Sequence, residues 1–230
     1  MPLIRAHNQI VYFAHVPKCG GGSVEAMLRE AFGAVGFCDR AHHRRGERRW
    51  GRVSPQHMTF ADLTRVLPHN FIDYSFAVIR DPVDRFVSAF NYNRIHSFIP
   101  WYSSVDGFIK AVRRSGDFLE NRLDNHFMPA SAFVPESAEV FRLENGFELL
   151  RNTLSLRLGR EMSSVDIPVK NKVAYGTDGS TRLRRIVKKL FQPSTSQVSE
   201  SVIEQIKSLY AIDYQTFGID RNGPNFRKCM

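Results

Sequence analysis

The chain has 230 residues, 43% hydrophobic and 24% charged, and these proportions exclude disordered, collagen-like and membrane-spanning proteins as classes. Its 32 Lys and Arg residues against 23 Asp and Glu residues give a formal net charge of +9. Such a charge attracts anions, whether phosphate groups, nucleic acid, acidic saccharides or a lipid surface. One domain spanning residues 1–230 is the expected organisation.

The N-terminal segment, residues 1–9, is polar where a signal peptide would need an apolar core. No run approaches the roughly 18 apolar residues of a transmembrane helix. Cys19, Cys38 and Cys229 are widely spaced and include no CxxC pair, so neither a disulfide framework nor a zinc cluster is expected. We therefore expect a cytoplasmic protein without a transmembrane segment.

Two strand–loop–helix units are predicted along the chain. Residues 10–16 form a β-branched and aromatic run typical of a buried strand, and residues 24–32 predict a helix. Residues 71–79 predict a second buried strand. A second helix is predicted after it, with Pro82 in its first turn and apolar residues spaced i, i+3, i+4 and i+7 at Val83, Phe86, Val87 and Phe90. The repetition favours an α/β fold with a central parallel sheet flanked by helices.

The rest of the chain gives weaker signals. Residues 40–52 are rich in arginine, and residues 182–189 form a second basic stretch without an acidic residue. A helix is predicted over 199–217, where apolar residues follow one stripe. The aromatic-rich segment 97–135 has no assigned elements.

The loop between the first predicted strand and helix has the features of an anion site. Three consecutive glycines, Gly20, Gly21 and Gly22, let backbone N–H groups approach a phosphate or sulfate group at a helix N-terminus. Lys18 lies at the mouth of this loop, and Ser23 offers a hydroxyl group. For the glycines alone, a flexible surface turn is an equally good interpretation.

Two other loop types are disfavoured by the order of residues. In the P-loop pattern the lysine follows the last glycine, whereas Lys18 precedes Gly20, and the G-x-G-x-x-G spacing is also missing. Cys19 beside Lys18 is a candidate nucleophile. A cysteine phosphatase loop, however, would carry a closing arginine where Glu25 stands.

A second anion site is predicted at the end of the second strand. Arg80 and Ser88, two helical turns apart, could bind another phosphate through charge-assisted hydrogen bonds. The alternative is a surface ion pair, Arg80–Asp81 or Asp84–Arg85. Two anion sites at adjacent strand ends match a ligand with two separated phosphates, such as a 3′,5′-bisphosphorylated nucleoside.

These segments resemble a known family, the carbohydrate sulfotransferases that use 3′-phosphoadenosine 5′-phosphosulfate (PAPS). His15-x-Pro17-Lys18-x-Gly20-Gly21-x-Ser23 looks like their 5′-phosphosulfate loop, and residues 80–90 look like their 3′-phosphate segment. The heparan and chondroitin sulfate O-sulfotransferase group, with its bacterial relatives, is the most similar. Residues 56–60 resemble the segment with the catalytic histidine, and further segments follow in the family's order at 126–129, 141–145 and 210–218.

The sequence departs from the family pattern in two respects. Many relatives have Thr or Ala at the positions of Cys19 and Gly22, so this loop is unusually rich in glycine. Eukaryotic members are membrane-anchored Golgi enzymes with disulfides, and neither feature is expected here. A bacterial cytoplasmic member fits better.

The resemblance implies a P-loop-like sulfotransferase fold and in-line transfer of a sulfuryl group from PAPS to a hydroxyl of a carbohydrate or glycoconjugate, with PAP as product. It implies that Lys18 stabilises the leaving phosphate oxygen and that His57 accepts the hydroxyl proton. No metal is required. The implied donor-binding residues are Lys18, Cys19, Gly20, Gly21, Gly22, Ser23, Arg80 and Ser88.

The acceptor is less well defined by the sequence. Residues 40–52 and the pair Trp101-Tyr102 suit a saccharide, including an acidic one, because guanidinium groups pair with carboxylates and aromatic faces stack on sugar rings. A solvated basic face and a buried aromatic cluster are the alternative. Residues 170–172 are candidates to close over the nucleotide.

Three other functions stay open at this point. The net charge and the basic stretches suit a nucleic-acid-binding protein, although no standard binding motif is found and no nucleic-acid partner is expected. A kinase on a related α/β scaffold would bind ATP with Mg²⁺, but the Walker pattern is missing. A catalytically inactive sulfotransferase-like protein is the third.

Overall fold

The structure is a computed structural model, and it describes residues 1–68, 70–162 and 198–221. In that part of the chain, strands and α-helices follow one another in the order β1 (Leu3–Ala6), β2 (Gln9–Ala14), α1 (Gly21–Phe32), α2 (Phe60–Val66), β3 (Tyr74–Ile79), α3 (Pro82–Ile95), α4 (Val105–Ser115), β4 (Glu139–Arg142), α5 (Glu148–Leu158), α6 (Glu200–Leu209) and α7 (Ala211–Thr216).

The sheet has the strand order β1-β2-β3-β4. Strands β2, β3 and β4 are parallel, with Ala14 opposite Ala77 and Ile79 opposite Arg142. Strand β1 pairs with β2 in the antiparallel direction through a tight turn in which His7 has a positive φ of 51°. The expected α/β fold with a mainly parallel sheet is confirmed, whereas β1 and β4 were not predicted.

Residues of β2 alternate between the two faces of the sheet, as extended chain requires. Val11 and Phe13 belong to a core cluster that also contains residues of α1 and α5, whereas Tyr12 and Ala14 lie in a cluster with Leu63 of α2. Because both faces of β2 are covered, its sequence is a continuous apolar run without polar alternation. This explains why the strand is recognisable from the sequence.

The described residues form two compact units. The sheet unit comprises the described residues of 1–80 and 130–162, with all four strands, α1, α2 and α5. The helical unit comprises 81–129 and 198–221, with α3, α4, α6 and α7. The expected single domain over 1–230 stays a prediction.

The helical unit has an aromatic core of its own, which includes Phe86, Phe90 and Phe127. Tyr210 is fully buried in it, and its hydroxyl donates a hydrogen bond to the carbonyl of Phe127 at 2.6 Å. The backbone of Tyr210 has φ −101° and ψ 27°, outside the helical range. For this reason the helix predicted over 199–217 is two helices, α6 and α7.

A buried ion pair lies in the same core. Arg85 and Asp213 are at most 1% exposed, with Nη2 and Oδ2 3.5 Å apart, and the Arg85 guanidinium lies 5.0 Å from the centroid of the Tyr210 ring. The sequence alternative of an Asp84–Arg85 surface pair is therefore wrong. None of the described helices combines the length and the apolar character needed to cross a membrane.

Candidate functional site

The chain turns sharply between β2 and α1. Lys18 has a φ of 68° and Gly20 a φ of 78°, both in the left-handed region. Glycine adopts this conformation at no cost, whereas for a lysine it costs on the order of 1–3 kcal/mol and is typical of functional loops. Helix α1 then begins at Gly21 with no acidic residue in its first turn. The N–H of Ser23 donates to the carbonyl of Gly20, and the N–H groups of Gly21 and Gly22, together with the helix dipole, favour an anion.

The three glycines of this loop are not equivalent. A Cβ at Gly20 would lie 2.9 Å from Cζ of Phe147, and a Cβ at Gly21 would lie 2.0 Å from Nε2 of His15. A Cβ at Gly22 would meet nothing within 4 Å. Close contacts therefore require glycine at positions 20 and 21, and the space beside Gly22 is open to a ligand.

The side chains of Cys19 and Ser23 lie in the protein interior, 1% and 2% exposed. The thiol of Cys19 lies 3.7 Å from the carbonyl oxygen of Pro17, and the N–H of Ser23 donates to the carbonyl of Gly20 at 2.9 Å. Burial of the thiol argues against Cys19 as a nucleophile. At Cys19 an anion would be bound through the backbone, and the role of the Ser23 hydroxyl stays a prediction.

Two cations follow the ends of neighbouring parallel strands. Ala14 of β2 and Ala77 of β3 are paired in the sheet. Lys18 comes four residues after Ala14, and Arg80 comes three residues after Ala77. Burial, and then the like charge of Arg80, lower the pKa of Lys18 to about 8. A bound anion would relieve this repulsion, so the arrangement suits a negatively charged ligand.

Ser88 lies half-buried on α3, in the helical unit. The N-terminus of α3 is capped by its own chain, because the carboxylate of Asp81 accepts hydrogen bonds from the N–H groups of Val83 at 2.9 Å and Asp84 at 3.1 Å. This cap leaves no need for an external anion at the start of α3. The joint role of Arg80 and Ser88 stays a prediction.

His57, the candidate base, ends a 3-10 turn formed by Pro55–His57 and is 9% exposed. Its Nδ1 lies 3.3 Å from Oγ of Ser54. Its ring is nearly perpendicular to that of His15, with the two centroids 4.8 Å apart. Since His15 also contacts Gly21, the structure brings the candidate base close to the glycine loop, within the sheet unit.

Sequence reasoning missed the buried pair of His15 and Glu25. Nδ1 of His15 lies 2.7 Å from Oε1 of Glu25, and the residues are 8% and 3% exposed. Oε2 of Glu25 accepts from the thiol of Cys38 and from Nη2 of Arg40, both at 3.2 Å. The sequence does suggest that the end of a strand lies near the start of the helix that follows it. A single histidine and a single glutamate ten residues apart, however, form no recognisable motif, so the pair was not predicted.

The two protonation states follow from these contacts. Burial would raise the pKa of Glu25, but the hydrogen bond and charge of His15, with Cys38 and Arg40, lower it overall. Burial lowers the pKa of His15 to about 4, although the bond to Glu25 opposes this shift. At neutral pH, Glu25 is therefore ionised and His15 is neutral, with its proton on Nδ1.

The arginine-rich stretch is a surface feature of the sheet unit. Residues 43–52 are all exposed, and the chain passes from them into the turn of His57. Trp50 is 58% exposed, with its ring edge-on to that of Phe37. Arg45 pairs with Asp39 at 2.6 Å.

In the helical unit, Trp101 and Tyr102 are 61% and 74% exposed, so the alternative of a buried aromatic cluster is wrong for this pair. Three features named from the sequence lie outside the described residues. These are 170–172, the basic stretch 182–189 and Cys229.

Comparison with known proteins gives one match. The model of the sulfotransferase family matches residues 2–220, a range that includes residues of both units. No curated protein and no solved structure matches the chain. The resemblance noted in the sequence is thus confirmed at the level of the family, and the carbohydrate-specific group is compatible with it.

Proposed function

The chain belongs to the sulfotransferase family, and from this premise we propose that it transfers a sulfuryl group from PAPS to a hydroxyl group of a carbohydrate or glycoconjugate. One observation carries the proposal. Lys18 and Arg80 follow the ends of adjacent parallel strands and interact electrostatically, beside a helix N-terminus that begins with glycine. A donor with two separated phosphates suits such a pair of cations.

The residues present fit this donor. The loop N–H groups and Lys18 would hold the 5′-phosphosulfate, since Gly20 and Gly21 admit no side chain and the space beside Gly22 is open. Arg80 would hold the 3′-phosphate. The first turn of α1 contains no carboxylate that would repel either group.

PAPS, when bound, supplies the sulfuryl group, whose bond to a phosphate oxygen breaks as a bond to the acceptor oxygen forms. Lys18 and the loop N–H groups stabilise the negative charge that the phosphate oxygen acquires. His57 accepts the proton that the acceptor hydroxyl loses, which a neutral imidazole does well near pH 7. The chain thus supplies residues for both changes of charge, the negative charge on the leaving phosphate oxygen and the proton released by the acceptor hydroxyl.

The exposed arginines support an acidic saccharide as acceptor. Residues 43–52 present Arg44, Arg48, Arg49 and Arg52, and this stretch leads directly into the turn that carries His57. Guanidinium groups recognise carboxylates and sulfates by paired hydrogen bonds. No disulfide joins Cys19 and Cys38, the two cysteines that the structure describes, which supports a reducing compartment such as the bacterial cytoplasm.

Thermal unfolding of the pure protein tests the donor. The ligands are PAP, AMP, ATP with Mg²⁺, and a short RNA, each at a matched concentration. A ligand present at about a hundred times its Kd stabilises the folded state by roughly 2.7 kcal/mol. We expect a large shift with PAP and a small one with AMP. The absence of a PAP shift would contradict the proposal, and a shift with RNA alone would favour a nucleic-acid-binding protein.

A transfer assay tests the reaction. Sulfate-labelled PAPS is incubated with neutral oligosaccharides and with uronate-containing ones such as unsulfated heparan and chondroitin fragments. We expect label in the uronate-containing saccharides. Binding of PAP without transfer to any hydroxyl compound would instead favour a catalytically inactive member of the family.

A further inference from the structure

We propose that His15 and Glu25 form a positioning pair, in which the His15 ring separates the glycine loop from the candidate base His57 and Glu25 fixes the orientation of that ring. The inference rests on the proposed function for the role of His57. The pair itself is defined by the contacts of the sheet unit.

The first step of the argument is the orientation of His15. The Glu25 carboxylate is an acceptor only, so the 2.7 Å contact requires that Nδ1 of His15 carry the proton. Since burial lowers the pKa of His15, the ring is neutral and Nε2 carries no proton. Rotation of the ring by 180° would break the bond to Glu25. A carboxylate behind a histidine fixes both the tautomer and the ring plane, as it does in catalytic triads and metal sites.

The second step is what the fixed ring touches. The Nε2 side of His15 lies against Gly21, because Nε2, Cδ2 and Cε1 would all come within 2.6 Å of a Cβ at that residue. The same ring meets the His57 ring with centroids 4.8 Å apart. One side chain therefore contacts both the loop proposed to bind the donor and the residue proposed to accept the proton.

The third step concerns the charge of Glu25. This carboxylate is buried, and it is the fifth residue of a helix whose N-terminus we propose to bind anions. A negative charge there opposes an anionic ligand and costs desolvation energy. Its effect on donor binding alone would be unfavourable, so its contribution lies in holding its donors, of which His15 is the closest.

The matched variants are Glu25→Gln and Cys38→Ala. Glu25→Gln removes the negative charge that His15, Cys38 and Arg40 contact, whereas Cys38→Ala removes only the hydrogen bond from the Cys38 thiol. We expect Glu25→Gln to lower kcat at least about tenfold, since small misplacements of reacting groups are costly. The Kd of PAP should stay within about threefold. Cys38→Ala should change neither quantity by more than about twofold.

Measuring KM and kcat separately distinguishes an effect on the positioning of the reacting groups from a loss of folded protein. Glu25→Gln with unchanged kcat would overturn the proposal, as would a loss of kcat equalled by Cys38→Ala. His15→Asn supplies a second test, because the Asn amide is a donor to Glu25 but lacks the distal half of the ring. If the two residues act together, the double variant is no slower than the slower single variant. Additive losses would overturn the pairing.

A measurement on the wild-type protein does not depend on activity. Nitrogen-15 NMR of the histidine rings should show His15 as the neutral Nδ1–H tautomer at pH 7, and Glu25→Gln should shift the ring signals of His57. A His15 protonated on Nε2, or His57 signals unaffected by Glu25→Gln, would overturn the inference. Failure of PAP binding with these NMR results intact would instead reject the proposed function and leave the structural pair standing.

Discussion

The imidazole of His15 lies so close to Gly21 that a Cβ at position 21 would come 2.0 Å from Nε2, whereas the next residue, Gly22, faces open space. Two neighbouring glycines of one loop thus differ in the space around them. Position 21 must be glycine because the side chain of His15 packs against it. Gly22 has no such contact and a φ outside the left-handed region.

Gly21→Ala is therefore expected to destabilise the protein by about 1–3 kcal/mol, the range for an overpacked interior, and to abolish PAP binding by displacing His15 or the loop. Gly22→Ala is the matched control for stability alone, because Gly22 is itself one of the proposed donor-binding residues. It lies within α1, where Ala is favoured over Gly by up to about 1 kcal/mol. Urea unfolding measures the stability of both variants, and PAP titration measures donor binding by Gly21→Ala. Equal losses of stability in the two variants would contradict the contact between His15 and Gly21.

Donor binding should weaken at alkaline pH. Burial and the charge of Arg80 lower the pKa of Lys18 to about 8. Below that pH the free protein carries the ammonium that attracts phosphate, and above it PAP must bind together with a proton. The Kd of PAP should rise by up to about tenfold per pH unit above 8.

Calorimetry in two buffers with different ionisation enthalpies measures the proton uptake directly. Lys18→Arg is the control, because guanidinium stays charged throughout this range and its PAP affinity should be nearly independent of pH. A Kd of PAP that is constant from pH 7 to 9.5 in the wild type would remove Lys18 from the donor site.

His57→Ala should lower kcat by at least about a hundredfold, the typical contribution of a general base. The Kd of PAP should be nearly unchanged. His7→Asn serves as the control, since His7 is exposed in the turn between β1 and β2 and Asn tolerates its positive φ. A His57→Ala enzyme with near-normal turnover would exclude His57 as the base.

Arg80→Ala should distinguish two nucleotides. PAP and AMP share the 5′-phosphate, and only PAP carries the 3′-phosphate that we assign to Arg80. Loss of this charge-assisted contact should raise the Kd of PAP by about ten- to a hundredfold and the Kd of AMP much less. Arg5→Ala, at an exposed position of β1, controls for net charge. Similar losses for both nucleotides in competition binding would indicate a structural role for Arg80.

Asp213→Ala should destabilise the helical unit by about 3–5 kcal/mol, because it leaves the buried Arg85 guanidinium without its ion-pair partner. Replacing both partners, as Arg85→Met with Asp213→Leu, should restore much of this loss, since no buried charge is left. Urea unfolding of Arg85→Met, of Asp213→Leu and of the double variant measures the coupling. A double variant as unstable as the sum of the singles would contradict the ion pair.

Much of the fold follows from local sequence rules. The predicted strands at 10–16 and 71–79 correspond to β2 and β3, and the helix predicted after the second strand begins at Pro82. Such elements are recognisable because burial on both faces gives a continuous apolar run, and because proline is favoured in the first turn of a helix. Strand β1 was missed because it is short and gains its stability by pairing with β2.

The candidate site divides in the same way. The sequence alone determined the glycine loop with Lys18, the arginine after the second strand and the family resemblance, since each depends on residues that are close along the chain. Only the tertiary structure decided that His15 packs on Gly21, that Glu25 binds His15, and that Tyr210 interrupts the last helix. The first two features depend on side-chain packing around one loop and the third on a contact with the distant Phe127, and in each case packing and burial override local preference.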